Sequence, residues 1–420
     1  MNASTILMPV AASERIEAMD VLRGFALLGI LLMNTEGLSG PLFASLSGLD
    51  PALSGADRWA DGLIYLFVQG KFYPLFSLLF GMGFAVMITR AQAAGRAFTG
   101  LYLRRTLGLL VIGVAHAALV WSGDILTTYA LLAFALLLFR DTPQSRLPKW
   151  GTALYLLPLG LIGLVGLVGS LMQLEPSAAA ALDEVTAEQA RVMTEQIAAQ
   201  RQAYGSGSYL DAVAQRLQDF TVVLGNILMM GWQILGLFLW GAWFVRSGAI
   251  ARPREFPRLY AGLRWVALPV GLAMTLVSFR LLPVDTFDRM DLPWAVAKDL
   301  HLLGGVLMGL GYLAWVLRAL DAAVLATGLR LLAPAGRMAL SNYLLQSIVC
   351  TLVFSGYGLG YFEQLSRAWQ VPFALVFFAL QVVLSHWWLA RFRHGPAEWA
   401  WRSFTYLRTP PLRIGARAAA

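Results

Sequence analysis

The chain has 420 residues, 58% hydrophobic and only 13% charged, with a formal net charge of +8 and a mean hydropathy of +0.64. A soluble domain carries about 25% charged residues, so the composition excludes a soluble globular protein. It predicts an all-α, polytopic integral membrane helix bundle. The pI near 9.8 requires no nucleic-acid partner, because the placement of the basic residues accounts for it.

A transmembrane helix needs about 20 mostly apolar residues. Ten segments qualify, at 19–37, 63–89, 105–121, 125–140, 150–172, 221–245, 262–282, 297–317, 338–357 and 371–391. The first carries Asp20 and Arg23 at its entry and Asn34 and Glu36 at its exit. Such groups are costly in lipid unless paired or hydrated, so this helix either walls a functional cavity or is anchored at two interfaces. Asn34-Thr-Glu36 stands where a cleaved leader would have small residues, so the segment is read as a retained helix. The second segment is interrupted by Gln69-Gly-Lys71, and Pro74 follows. That predicts an interfacial helix, a break and a spanning helix, with protein or water covering the break. Lys71 there needs an anion, water or a snorkelling route to the interface.

With the N-terminus inside and the spans alternating, 23 of the 32 Lys and Arg residues fall on the cytoplasmic side, Arg15, Arg96 and Arg417 among them. Of the 24 acidic residues, 17 fall outside. The basic asymmetry is the positive-inside pattern, and it places both termini of a single membrane domain, 1–420, in the cytoplasm. Two outer segments are long. Residues 38–62, rich in Gly, Ser, Pro and Asp, predict an irregular loop. Residues 173–220 are Ala-rich with Glu and Gln, and break at Tyr204-Gly-Ser-Gly-Ser208. They predict a helical hairpin that either connects two spans or lids a site.

His116 precedes Asp124 by eight residues, a rise of about 12 Å in a helix, so it lies below the outer surface. It is either a general base or a neutral His bonded to a neighbouring helix. Asp124 is either its partner or the N-cap of the next helix. Asn34, Glu36 and His301 fall at the same outer level, so carboxylates and an imidazole can meet there. Toward the inside lie Asp20, Arg23, Arg104, Arg105 and Arg337, with Asn342 and Gln346 on one helical face and His386 beyond. Clustered Arg binds phosphate bidentately, although topology alone also demands inner Arg. Cys350 is the single cysteine and reads as a small buried apolar side chain. No phosphate-binding loop, HExxH or GxSxG motif occurs, and no metal site is expected.

Several stretches resemble the bacterial membrane proteins of the DUF418 or YeiB group. They are Arg23 through Ile30, Lys71 through Ala85, His116 through Leu126, Gly336 through Gln346, and Phe392 through Arg402. That group resembles in turn the transmembrane acyltransferases of the acyltransferase-3 and heparan-α-glucosaminide N-acetyltransferase type, through Leu22-Arg23-Gly24-x-Ala26. The resemblance implies a multi-pass protein of the bacterial inner membrane. It would move an acyl group, such as acetyl, from cytoplasmic acyl-CoA or acetyl-CoA to an outer hydroxyl or amino acceptor, such as a cell-envelope glycan. Acyltransferase-3 proteins carry a His eleven residues after the Arg, where this chain has Asn34. The heparan enzyme has Asn there and a His in the following outer loop, and residues 38–62 hold no His. His116, with Asp124 or Glu36, is therefore the candidate catalytic group. Asp20, Arg23, Asn34, Lys71, His301, Arg337, Asn342 and Gln346 are the candidate binding residues. Membrane lipids, the acyl donor and an envelope acceptor are the expected partners, and a homodimer is compatible with them. A transporter or lipid-handling protein without bond chemistry is the alternative, in keeping with the broken second helix.

Overall fold

The computed structural model describes residues 16–95, 98–286 and 288–414; Arg15, Arg96 and Arg417 lie outside the described residues. Among these residues the regular structure is helical, apart from two isolated bridges, Gly48–Val284 and Phe392–Arg413. The protein is an integral membrane helix bundle. Eight helical stretches are long and apolar enough to cross a membrane, and two shorter apolar helices accompany them. In chain order, α1 spans Glu17–Ser39, α2 Gly55–Phe67, α3 Phe72–Ala93, α4 Thr99–Leu119, α5 Leu126–Leu136 and α6 Leu147–Met172. The outer hairpin follows as α7, Pro176–Gly205, and α8, Tyr209–Arg246. Then come α9 Pro257–Gly262, α10 Leu268–Leu281, α11 Leu292–Leu320, α12 Ala323–Arg330, α13 Ala333–Arg337, α14 Ala339–Phe354, α15 Arg367–Leu389 and α16 Pro396–Tyr406.

Two expectations about elements change. The irregular loop expected over 38–62 ends at Ser54, and α2 begins at Gly55. Loop-like composition hid an amphipathic pattern in which Asp61, Ile64 and Tyr65 are buried while Trp59 and Leu63 are exposed. The expected break after α2 is present at 68–71. The second arm of the expected hairpin is not separate from the apolar segment that follows it, because α8 runs unbroken through 38 residues. Ser208 starts it with a capping box, its hydroxyl accepting the Asp211 N–H while the Asp211 carboxylate accepts the Ser208 N–H at 2.9 Å, which satisfies amides left open at a helix start.

Helices approach closely where glycine allows it. A Cβ on Gly81 of α3 would lie 2.0 Å from the Phe238 carbonyl oxygen, and one on Gly241 of α8 would lie 2.0 Å from that of Leu78. Both side chains must be absent for α3 and α8 to touch. The same device seats α13 on the start of α1, where Cβ atoms on Gly24 and Gly336 would strike the Leu332 and Asp20 carbonyls. That contact shapes one wall of a cavity at this end of the bundle.

Candidate functional site

The last turn of α4 carries His116, and the short loop after it returns Asp124 to the same level. Gly113, one turn earlier, lets the start of α5 close in, since a Cβ there would lie 2.5 Å from the Thr127 nitrogen. His116 Nδ1 and Asp124 Oδ1 are 2.9 Å apart, with side chains 1% and 0% exposed. The second Asp124 oxygen accepts the Thr127 N–H at 2.7 Å. The two readings of Asp124, helix cap and imidazole partner, are thus both realised. In the tautomer that donates Nδ1–H to this carboxylate, the lone pair lies on Nε2. Among the described residues that Nε2 is buried without a hydrogen-bond partner.

The α7–α8 hairpin roofs this pair. Ser122, in the loop between His116 and Asp124, donates to Asp219 of α8 at 3.2 Å. Asp219 also accepts from Tyr204 at 2.5 Å and Gln215 at 2.9 Å. Arg216 donates to the Leu119 carbonyl at the end of α4 (3.1 Å) and to Tyr357 (2.7 Å). Its guanidinium lies 5.4–5.7 Å from the ring centres of Tyr204, Tyr209 and Tyr357, within cation–π range. Gln200 accepts the Phe43 N–H at 3.1 Å, and Trp121 donates to the Gly37 carbonyl at 3.2 Å. The hairpin therefore closes this end of the bundle over the His–Asp pair, besides connecting two apolar helices.

From the opposite end a cavity of about 320 Å³ enters the bundle. Its mouth is lined by six arginines, Arg23, Arg90, Arg105, Arg337, Arg393 and Arg402, against two carboxylates, Asp20 and Glu398. Above the mouth the wall is apolar, with Leu79, Phe80 and Ile30, and it ends at Ile125, Leu126, Tyr129 and Tyr343. The Tyr343 ring centre is 5.3 Å from that of His116, so the shaft ends beside the pair. Helix α16 forms a cuff at the mouth. Trp401 donates to the Arg105 carbonyl at 2.7 Å, and Arg104 to the Thr405 carbonyl at 3.0 Å. The Arg105 guanidinium stacks 3.9 Å above the Trp401 ring. Glu398 accepts the Leu340 and Ser341 N–H groups at 2.7 and 3.1 Å, capping α14 from outside. Burial raises the Glu398 carboxyl above its usual range, and these bonds oppose the rise.

Of the residues singled out in the sequence, Asp20, Arg23 and Arg337 line the mouth, with Asp20 and Arg23 2.8 Å apart. Beyond these and the His116–Asp124 pair, the others need correction. Glu36 does not orient His116; Arg367 holds it at 2.8 Å and holds Asp61 at 2.9 Å. Asn34 is half-buried on α1 and makes none of the bonds that fix the pair. His301 does not join it either. It stacks on Tyr65, 4.9 Å between ring centres, beside a separate pocket of about 70 Å³ between α2, α10 and α11. Lys71 faces no ligand space, since its buried Nζ donates to the Tyr65 carbonyl at 2.8 Å and satisfies the end of α2. Asn342 and Gln346 do share a face, but they bind helices together. Asn342 donates to the Ala335 carbonyl and to Ser385, Gln346 donates to Gln381, and Gln381 donates to the Asn342 carbonyl, all at 2.9–3.1 Å. His386 pairs with the Leu331 carbonyl at 3.0 Å. Gly83, unlike Gly81, faces the shaft. Sequence reasoning missed Tyr129, Tyr343, Arg402 and the capping role of Glu398. The Arg, Glu and Trp spacing over 396–406 was the available signal for the last two.

A family profile described as "Protein of unknown function (DUF418)" matches residues 244–408. The chain is 35% identical over 423 residues to "Uncharacterized protein YxaH" of Bacillus subtilis (strain 168), covering 97% of this chain and 98% of that protein. It is 32% identical over 418 residues to "Uncharacterized protein YeiB" of Escherichia coli (strain K12), covering 95% and 98%. It is 29% identical over 417 residues to an "Uncharacterized 39.9 kDa protein in amylase 3'region" of Bacillus acidopullulyticus, covering 97% and 98%. No solved structure matches.

Proposed function

The chain belongs to the DUF418 family, and we propose that it is a transmembrane acyltransferase of the bacterial inner membrane, with acyl-CoA as its cytoplasmic donor. What supports the reading is the shaft, which runs from an arginine-lined mouth through apolar walls to Tyr343, whose ring lies 5.3 Å from that of His116 in a buried His–Asp pair with an unpartnered nitrogen. A CoA thioester has the matching shape, a polyanionic head and a long uncharged arm ending in the reactive group. Arginines bind phosphate as planar forks, and the apolar shaft excludes water from the thioester.

In the transfer, His116 Nε2 takes the proton of an acceptor hydroxyl or amine as that oxygen or nitrogen attacks the thioester carbonyl carbon. Asp124 keeps Nδ1–H in place and stabilises the imidazolium. The adduct collapses, the C–S bond breaks and His116 returns the proton to sulfur. The products are an ester or amide and free CoA thiol. The acceptor, such as an envelope glycan, reaches Nε2 when the α7–α8 hairpin lifts. A cavity entered from the arginine-lined end also suits an inward-facing carrier, which is the second reading.

Protein in lipid nanodiscs, given acetyl-CoA and an envelope-glycan extract, releases thiol that a chromogenic disulfide reports. His116→Ala is expected to lower release about 100-fold or more. Equal release in that variant removes His116 from the chemistry. If no CoA thioester binds the protein, the acyltransferase reading fails and the carrier reading takes its place.

A further inference from the structure

Eight buried side-chain polar atoms lack a hydrogen-bond partner among the described residues. Of their residues, only Tyr343 also lines the shaft. The contrast with Tyr129 makes the point. Both rings form the upper wall of the shaft. The Tyr129 hydroxyl is engaged, 2.7 Å from Ser77 and 3.3 Å from the Tyr73 carbonyl. The Tyr343 hydroxyl is buried without a hydrogen-bond partner among the described residues, with the Asp124 carboxylate and the Ile125 N–H near it. Leaving a buried donor unmet is costly, so a fold that keeps one beside the end of a cavity has a place for an acceptor there.

We infer that Tyr343 is a catalytic residue whose hydroxyl donates to the carbonyl oxygen of the bound thioester and holds it as it becomes an oxyanion. This rests on the acyl-transfer reading above. The phenol keeps its proton throughout. Attack moves the C=O π electrons onto oxygen, the hydrogen bond strengthens, and collapse of the adduct restores the C=O bond as sulfur leaves. His116 and Tyr343 sit side by side, so one handles the proton and the other the developing charge.

The test pairs kinetics with a vibrational signature on the full chain in nanodiscs. Tyr343→Phe is expected to lower kcat about 100-fold, the usual loss for one oxyanion donor. KM for acetyl-CoA and the melting temperature should hold. With acetyl-CoA labelled by ¹³C at the carbonyl, the infrared carbonyl band shifts to lower frequency on binding to the natural protein, and Tyr343→Phe abolishes that shift. Unchanged kcat, or a band equal in both proteins, overturns the role of Tyr343. So does a loss of activity that tracks a loss of stability. A band shift that needs Tyr343, in a protein without turnover, keeps the hydrogen bond and refutes acyl transfer. Absence of any thioester binding refutes both.

Discussion

At the outer end of the bundle, Arg367 lies between Glu36 and Asp61, and Arg216 lies among three tyrosines, each arginine no more than 6% exposed. At the inner end, Arg23, Arg105, Arg337 and Arg402 line a cavity. The residue types are alike, and their surroundings differ. A buried guanidinium matched to carboxylates and carbonyls holds segments together, because removing one partner strands the other in a low dielectric. Guanidinia on a cavity wall also have partners, as Arg23 has Asp20 and Arg105 has the Trp401 ring, but they face a space that a ligand can enter. The comparison separates fold-determining charge from ligand-facing charge in a chain where counting arginines cannot.

The largest expected effect belongs to the outer end. Arg367→Ala leaves Glu36 and Asp61 without their shared cation, and should destabilise the fold by about 3–5 kcal/mol, read by thermal unfolding in detergent. A loss below about 1 kcal/mol would show that water already serves those carboxylates, and the contrast between the two ends would collapse. The inner end should behave the other way. Arg402→Ala is expected to raise KM for acetyl-CoA about tenfold, equivalent to about 1.4 kcal/mol, with a smaller loss of melting temperature than Arg367→Ala causes. The penalty should shrink as salt screens the phosphates. A fall in melting temperature with KM unchanged would place Arg402 among the structural charges.

The apolar helices, the break before α3 and the α7–α8 hairpin were legible because each rests on local pattern: apolar length, the interruption at Gln69-Gly-Lys71, and the Gly-Ser turn before Tyr209. His116 and Asp124 were legible as a pair because the chain turns back within eight residues. Glu36, His301 and Lys71 were not, since level in the membrane says nothing about position around the bundle. Glu36 faces α15 through Arg367, and His301 faces α2 through Tyr65. Asn342 and Gln346 show the same limit. Their shared face is a local fact, while what that face meets, Ser385 and Gln381 of α15, is set by tertiary packing. Tyr343 was hidden for a related reason. A tyrosine in an apolar helix has nothing unusual about it until every neighbour of its hydroxyl is known.

The smallest expected effect concerns the roof. Arg201 of α7 makes a bidentate pair with Glu363 at 2.7 and 2.8 Å, and both side chains are exposed, at 53% and 36%. Glu363 sits there with φ of 54°, a conformation uncommon for a residue with a side chain, and its N–H donates to the Ser39 carbonyl at 2.7 Å. Exposed pairs contribute under about 1 kcal/mol, so Arg201→Ala should barely change the melting temperature. If the hairpin lifts to admit the acceptor, weakening its closed state by that amount raises the open fraction by no more than about fivefold. Turnover with a bulky glycan acceptor should rise within that limit, while thiol release in water alone stays level. A fall in both rates would instead make the hairpin a fixed roof whose seating the His116–Asp124 pair requires, and acceptor entry would have to follow another route.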